Sequence, residues 1–400
     1  MLAKRDIRIL TLDGHTNQAL ACVRSLGRAG YTVFVASHQR LPLGMWSRYC
    51  RGSFHQAGQT IEAFSSTLEW ASEHSVDIVL PMTERSCRLL NAERERWEKS
   101  GITVGCAPNE MLTRAFDKAE TLRLAEECGV RIPPTRYPTS LAECFEAAEE
   151  VGLPCIVKPR RSNAWNGKEF SSVLTPLYIN RREELQNALE ACRQGGGWPL
   201  IQGYVEGQGK GVFALCRNGR SVAWFAHERL RDTRPTGSSS SLRRSIFLDD
   251  RLLEPAEDLL AAMEWHGPAM VEFKDDGSDQ PCLMEVNGRF WGSLQLGIYA
   301  GIDFPLMWVS ILEGESVGAS THYEEGTTLR WLWGDVKRLI WILRGAPAGF
   351  PGPYPTVGQG LRELLGPQPE GTRLEMWRRN DPLPAIGEWV QGTRDLFSKF

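Results

Sequence analysis

The 400-residue chain has no basic excess: 46 Lys and Arg stand against 49 Asp and Glu, for a formal charge of −3. That balance supplies no bulk attraction for nucleic acid and leaves only local patches to consider. Ten cysteines are present but no Cys-x-x-Cys pair, and several lie in apolar runs such as Leu153-Pro154-Cys155-Ile156-Val157, where a free thiol behaves as a small hydrophobe. Such scatter argues against structural zinc and against a disulfide framework. No window offers the ~20 apolar residues of a membrane span, and the opening residues lack the long apolar stretch of a signal peptide. The first strand-to-helix turn holds only Gly14, so the Gly-x-Gly-x-x-Gly dinucleotide fingerprint is missing and an NAD(P) oxidoreductase is disfavoured. These absences predict a protein of the reducing cytoplasm that does not act on nucleic acid.

What is present bounds the class further. At roughly 150 residues per domain the chain makes two or three units, and 42% hydrophobic with 24% charged residues is a globular composition. Over the first hundred residues, strand-like runs (7–12, 31–36, 76–81, 102–105) alternate with helical periodicity (19–26, 89–97). That alternation predicts a parallel sheet covered by helices, a Rossmann-like unit. Asp13-Gly14-His15-Thr16-Asn17 falls where the first strand turns into its helix, a place suited to an anion or to a helix cap by Asp13 or Thr16. A helix is expected over 109–128, closed by Gly129 and Pro133-Pro134. Beyond that joint come helices at 141–151, 181–192 and 252–265, and strands at 155–158, 200–205, 211–216, 221–227, 269–274 and 282–287. The stretch Thr236-Gly237-Ser238-Ser239-Ser240-Ser241 reads as a polar loop.

The segment around 270–290 carries the chemistry. Side chains alternate along a strand, so Glu285, Asn287 and Arg289 share one face, while Met284, Val286 and Phe290 point toward a core. Glu272 lies between Val271 and Phe273 on the preceding strand, and a short turn between the two strands predicts a hairpin that brings Glu272 beside Glu285. Two carboxylates and an amide oxygen on rigid strands make a hard oxygen site suited to Mg²⁺ or Mn²⁺. Without a cation the like charges repel and one pKa rises. Lys158, ending the strand Cys155-Ile156-Val157, needs an anionic partner such as a phosphate. Arg160, Arg161 and Lys168 after it either add charge to the site or are solvated surface residues, and Gly203 within a strand marks a close approach to the backbone.

Taken in order, Asp117-Lys118, Ile156-Val157-Lys158-Pro159, Gln202-Gly203-Tyr204-Val205, Val271-Glu272-Phe273 and Met284-Glu285-Val286-Asn287-Gly288-Arg289-Phe290 resemble the ATP-grasp superfamily. The likeness is strongest to carboxylate–amine ligases and carbamoyl-phosphate-synthase-like members, and covers about residues 1–315. It implies a mixed α/β and α+β chain in four parts: a Rossmann-like domain (1–108), a linker helix with a small lobe (109–203), a large lobe with the metal site (204–315), and a mostly helical extension (316–400). The resemblance implies ATP and Mg²⁺ as cofactors. Lys118 and Lys158 would contact ATP phosphates, Gln202, Gly203, Tyr204 and Val205 would form the hinge at the adenine, and Glu206 would take the ribose. Glu272, Glu285 and Asn287 would hold Mg²⁺, and Arg289 would steady the transferred phosphoryl group. The chain departs from the family in carrying Gly203 where an acidic hinge residue is common, and a glycine-poor loop after Lys158.

The implied reaction is activation of a substrate carboxylate as an acyl phosphate, with ADP released, followed by attack of an amine to form an amide. The alternatives are a kinase on the same scaffold or a non-catalytic ATP-binding scaffold. His227, in His227-Glu228-Arg229-Leu230-Arg231, is a candidate general base on the acceptor side, and Arg243 and Arg244 are candidates for a substrate carboxylate. Small-molecule acid and amine substrates are the expected partners, with a homodimer left open. Five of the 14 tryptophans (Trp331, Trp333, Trp341, Trp377, Trp389) lie in the last part of the chain. The aromatic and basic stretch 328–345 fits packing on its own protein better than docking on a membrane surface.

Overall fold

The computed structural model describes residues 6–165, 170–172, 176–193, 197–237 and 239–397. The N-terminal part runs β1 (Arg8–Thr11), α1 (Asn17–Arg28), β2 (Thr32–Ser37), β3 (Cys50–His55), α2 (Ile61–Glu73), β4 (Ile78–Leu80), α3 (Glu84–Ala92), α4 (Arg94–Lys99) and β5 (Thr103–Val104). Its five strands are parallel in the order β3-β2-β1-β4-β5, as alternating strands and helices require. Thr16, rather than Asp13, caps α1 by accepting from the Ala19 N–H at 3.3 Å. Asp13 instead accepts from the hydroxyls of Thr83 at 2.9 Å and Ser86 at 2.5 Å, which ties the first turn to the start of α3.

The helix expected over 109–128 is in fact two, α5 (Asn109–Phe116) and α6 (Lys118–Glu127). Asp117 breaks it by capping α6, its carboxylate accepting from the Ala119 N–H at 3.0 Å. The helical run 89–97 is likewise divided, at Glu93, between α3 and α4. A four-stranded antiparallel sheet follows, order β10-β7-β11-β6, from β6 (Thr135–Arg136), α7 (Leu141–Val151), β7 (Cys155–Lys158), a two-stranded ribbon of β8 (Asn163–Trp165) and β9 (Phe170–Ser172), β10 (Leu177–Ile179), α8 (Arg182–Arg193) and β11 (Leu200–Gly203). Its core, with Cys144, Cys155, Val157, Leu185 and Ile201, is separate from the two larger clusters of the molecule.

The third sheet is built on β12 (Gln208–Arg217), β13 (Arg220–Asp232), β14 (Ser240–Ser245), α9 (Asp250–Ala262), β15 (Gly267–Asp275) and β16 (Cys282–Asn287). Asn218 and Gly219 have φ of 53° and 76°, the backbone of a type I′ turn, and join β12 to β13 as a tight hairpin. Residues 240 and 241, expected in a polar loop, begin β14 and are buried against β13; Ser238 lies outside the described residues. After α10 (Leu294–Ala300) and α11 (Phe304–Leu312), the tail continues the same sheet. β17 (Thr328–Arg330) pairs with β14 and, beyond α12 (Leu332–Arg344) and α13 (Val357–Leu365), β18 (Arg373–Leu374) pairs with β17. The sheet therefore has seven strands, β16-β15-β12-β13-β14-β17-β18, and α14 (Leu383–Phe397) ends the described chain. No single helix among the described residues is long and apolar enough to cross a membrane, and the nine described cysteine side chains are free thiols.

The tail is anchored to the N-terminal sheet by a buried ion pair. Arg24 on α1 donates to Asp381 at 2.7 Å, both side chains being 1% exposed. The carboxylate also accepts from the Ser47 hydroxyl and the Arg48 N–H, each at 2.8 Å. Arg24 donates further to the carbonyls of Glu375, Met376 and Asp381. Removing one partner leaves the other charge buried and unpaired, a loss of about 3–5 kcal/mol. Asp381→Ala is therefore expected to lower the unfolding free energy from urea denaturation by that amount and to expose the tail to limited proteolysis. Unchanged protease resistance would show that the pair does not hold the tail.

Candidate active site

The sheet registers bring the sequence-predicted residues together. Glu272 and Glu285 are direct partners across β15 and β16. A register shift follows Glu272, so that Phe273 pairs with Leu283. Met284, opposite that shift, lines a cleft beside Glu285 rather than joining Val286 and Phe290 in the core. Asn287 donates from its amide nitrogen to Glu285 at 2.9 Å, and its amide oxygen accepts from Arg289 at the same distance. Burial alone would raise the Glu285 pKa, but the charges of Lys118 and Lys158, the Asn287 hydrogen bond and Arg289 together hold it down at about 2. The anticipated repulsion between two carboxylates is thus answered by surrounding cations, and Glu285 is ionised.

Two cavities open on this hairpin. The first, about 440 Å³, lies between the small sheet and the large one, lined by Lys158, Gln202, Tyr204, Val205, Glu206 and Met284 among others. The Lys158 pKa is lowered, by burial first and by Lys118 second, and its ammonium makes no ion pair among the described residues. Lys118 begins α6, with its ammonium 3.0 Å from the Ser162 hydroxyl and its backbone N–H on the Arg160 carbonyl. Gln202 is buried and donates to the Thr135 hydroxyl, but its side-chain oxygen has no partner among the described residues. Gly203 donates its N–H to the Pro134 carbonyl at 2.8 Å, and a Cβ there would stand 3.3 Å from the Pro134 ring. Arg160 and Arg161, read as added charge for the site or as solvated surface charge, are half-exposed and pair with Asp117 at 3.1 and 3.2 Å, and Lys168 lies outside the described residues.

The second cavity, about 520 Å³, lies on the other side of the carboxylates. His227, Arg229, Asn287 and Arg289 line it from the large sheet, and the turn leading into α1 (His15 to Gln18) lines it from the N-terminal part. His227 is buried, 4.6 Å edge-to-face from Phe213, with no hydrogen-bond partner for either ring nitrogen among the described residues. Burial first, then Arg229 and Arg243, push its pKa well below the ordinary imidazole value, so the ring is neutral. Arg243 also lines the cavity but is paired with Glu375 at 2.5 Å, whereas Arg244 pairs with Glu228, away from it.

Sequence reasoning missed much of the outer wall. Trp331, Trp333, Lys337 and Glu388 line the second cavity. The aromatic stripe thus turns inward: Trp333 packs at 4.9 Å on Trp389, the Trp331 indole donates to Glu388, and Lys337 sits 4.9 Å from the Trp331 ring. Lys274 was also missed. Its ammonium donates to the Val205 carbonyl at 2.7 Å and lies 5.3 Å from the Tyr204 ring, binding the hinge to the carboxylate-bearing strand. Its two-residue spacing from Glu272 put it on the same strand face, a signal readable from parity.

In fold, and over part of its sequence, the chain is similar to ATP-grasp proteins. A family model described as "ATP-grasp in the biosynthetic pathway with Ter operon" matches residues 199–334, the span from the hinge strand to the start of α12. Among solved structures, N5-carboxyaminoimidazole synthetase from Staphylococcus aureus superposes with a TM-score of 0.63 at 16% identity, over 80% of each chain. The biotin carboxylase domain of 2-oxoglutarate carboxylase from Hydrogenobacter thermophilus, a complex with MgADP and bicarbonate, superposes with a TM-score of 0.65 at 15% identity, over 81% of this chain and 74% of that one. A formate-dependent phosphoribosylglycinamide formyltransferase from Actinobacillus pleuropneumoniae serotype 3 (strain JL03) is 27% identical over 142 residues. That match spans 34% of this chain and about one third of the relative's length.

The wall residue Glu388 has a measurable signature. Burial raises its pKa to about 8, with Trp331 and Lys337 acting against the rise and Glu375 adding to it. The native state therefore keeps a proton that the unfolded chain loses above about pH 4.5, and stability falls as pH rises from there to about 8. The slope approaches 1.4 kcal/mol per pH unit, an upper bound. Glu388→Gln keeps an acceptor for the indole without the charge. Its Tm should match wild type at low pH and exceed it near pH 8; parallel Tm profiles would refute the assignment.

Proposed function

We propose that the chain is an ATP-dependent ligase that activates a small carboxylic acid as an acyl phosphate and joins it to an amine. The observation that carries this reading is the shared wall: Arg229, Glu272 and Glu285 line both cavities, so a nucleotide in one presents its terminal phosphate to a substrate in the other. The donor set suits a divalent cation. Among the described residues no group of three or more His, Cys, Asp or Glu side chains is arranged for a metal. Two carboxylates and an amide instead match a Mg²⁺ site completed by phosphates and water. Glu272, Glu285 and Asn287 would hold the ion, which when bound neutralises phosphate charge during transfer.

The chain's own residues do the rest. Lys158, a cation with no ion-pair partner among the described residues, binds the nucleotide phosphates, with Lys118 adding charge from the start of α6. Gln202, Tyr204, Val205 and Glu206 line this cavity where the base and ribose would lie, and the unpartnered Gln202 oxygen suits a polar contact there. A substrate carboxylate oxygen attacks the γ-phosphorus and ADP leaves. Arg289 stands on the substrate side and balances the charge on the transferred group. An amine then attacks the acyl carbon and phosphate departs, and neutral His227 accepts the amine proton. A cavity of about 520 Å³ takes a substrate of metabolite size. The formyltransferase similar in sequence and the synthetase similar in fold carry names that fit chemistry of this kind.

The test is ADP release from Mg·ATP, screened against pooled amino acids, short peptides and small acids, with and without amines. Amide, ADP and phosphate in equal amounts support a ligase, whereas a stable phosphorylated product supports a kinase. Nucleotide binding with no turnover on any pool supports a scaffold. Glu285→Ala is expected to cost at least about a hundredfold in turnover, the scale of losing a pre-organised electrostatic group. Unchanged Mg·ATP binding and turnover in that variant would refute the metal site.

A further inference from the structure

Arg229 stands where the two cavities meet, and its contacts pose a problem for cation binding. Its guanidinium donates to Glu272 at 2.5 Å, with the Arg229 side chain 9% exposed and that of Glu272 18% exposed. A second nitrogen lies 3.8 Å from Asp232. The backbone beneath it is fixed from two sides: Arg229 is in register with Arg243 across β13 and β14, and its main-chain carbonyl accepts from the Gln208 side-chain amide. A Cβ on Gly209 would stand 3.0 Å from the Arg229 Cδ, so glycine at that position leaves room for the arginine.

The Glu272 carboxylate thus already has a cation, and it is the protein's own. Glu285 has Lys118, Lys158 and Arg289 to balance it, whereas the direct counter-charge on Glu272 is Arg229. A divalent ion on Glu272 competes with that guanidinium, because two cations at one carboxylate repel. We propose that Arg229 is a positioning residue that substitutes for the divalent cation on Glu272 while the nucleotide cavity is empty, and is released toward the phosphates when metal nucleotide enters. This rests on reading Glu272 and Glu285 as cation ligands. The exchange keeps the paired carboxylates compensated in both states and frees a guanidinium on the shared wall when phosphate charge arrives there.

The experiment is a Mn²⁺ titration of the full chain without nucleotide, with free ion read by electron paramagnetic resonance. It is run on wild type, Arg229→Met, Arg229→Gln and Arg229→Lys. Removal of the competing charge is expected to tighten Mn²⁺ binding about tenfold in the Met and Gln variants, and the Lys variant should stay within about twofold of wild type. The neutral variants should also bind Mg·ATP more weakly than wild type, having lost a phosphate contact. The Gln variant keeps a polar side chain for Glu272 and carries the test if the Met variant does not fold. Mn²⁺ binding in the neutral variants no tighter than wild type, or tightened equally in the Lys variant, overturns the proposal while leaving the cation site standing. Absence of Mn²⁺ binding to wild type, with and without ADP, overturns both.

Discussion

The structure depends on a pair of carboxylates held where they would repel one another. Glu272 and Glu285 are fixed opposite each other by the β15–β16 register, on strands whose other residues, Val271, Phe273, Leu283 and Val286, are core. Neither can retreat without disturbing that packing, so positive charge has to come to them. It comes from four directions: Lys118 at the start of a helix, Lys158 at the end of a small-sheet strand, Arg229 on β13 and Arg289 just past β16. Each belongs to a different element, and the arrangement of the lobes is legible as the way of bringing them to one place.

That convergence also explains the two cavities. One lies under the small sheet, whose hydrophobic core is its own and whose hinge is tied to the large sheet by Lys274 on the Val205 carbonyl. The other is closed by the turn leading into α1 and by α12 and α14. The tail is thus part of the site. It extends the large sheet through β17 and β18, docks on α1 through Arg24 and Asp381, and supplies Trp331 and Glu388 to the cavity wall.

The hairpin geometry was legible because it rests on local rules. Parity put Glu285 and Asn287 on one face, and a short turn brought Glu272 opposite. Features decided by distant residues were not legible. The break at Asp117, where the capping carboxylate also pairs with Arg160 and Arg161 more than forty positions away, falls in a run whose helical period is unbroken. β14 is a serine-rich strand with little propensity of its own, held between β13 and β17 and by the buried Arg243–Glu375 pair. β3, Cys50–His55, alternates half-buried and exposed residues at a sheet edge and lacks the apolar run that marked its neighbours. That the 328–345 stretch packs on its own protein was readable, but the contact of Trp331 with Glu388, 57 residues later, was not.

The most direct measurement follows oxygen across the shared wall. With an acid identified by ADP release, its carboxylate is labelled with ¹⁸O and the phosphate formed during amide synthesis is analysed by mass. Transfer of the γ-phosphoryl group to the acid in the second cavity places one labelled oxygen in that phosphate. Amide formation with unlabelled phosphate would mean that the carboxylate is never phosphorylated, and would contradict the reading of the two cavities as donor and acceptor chambers.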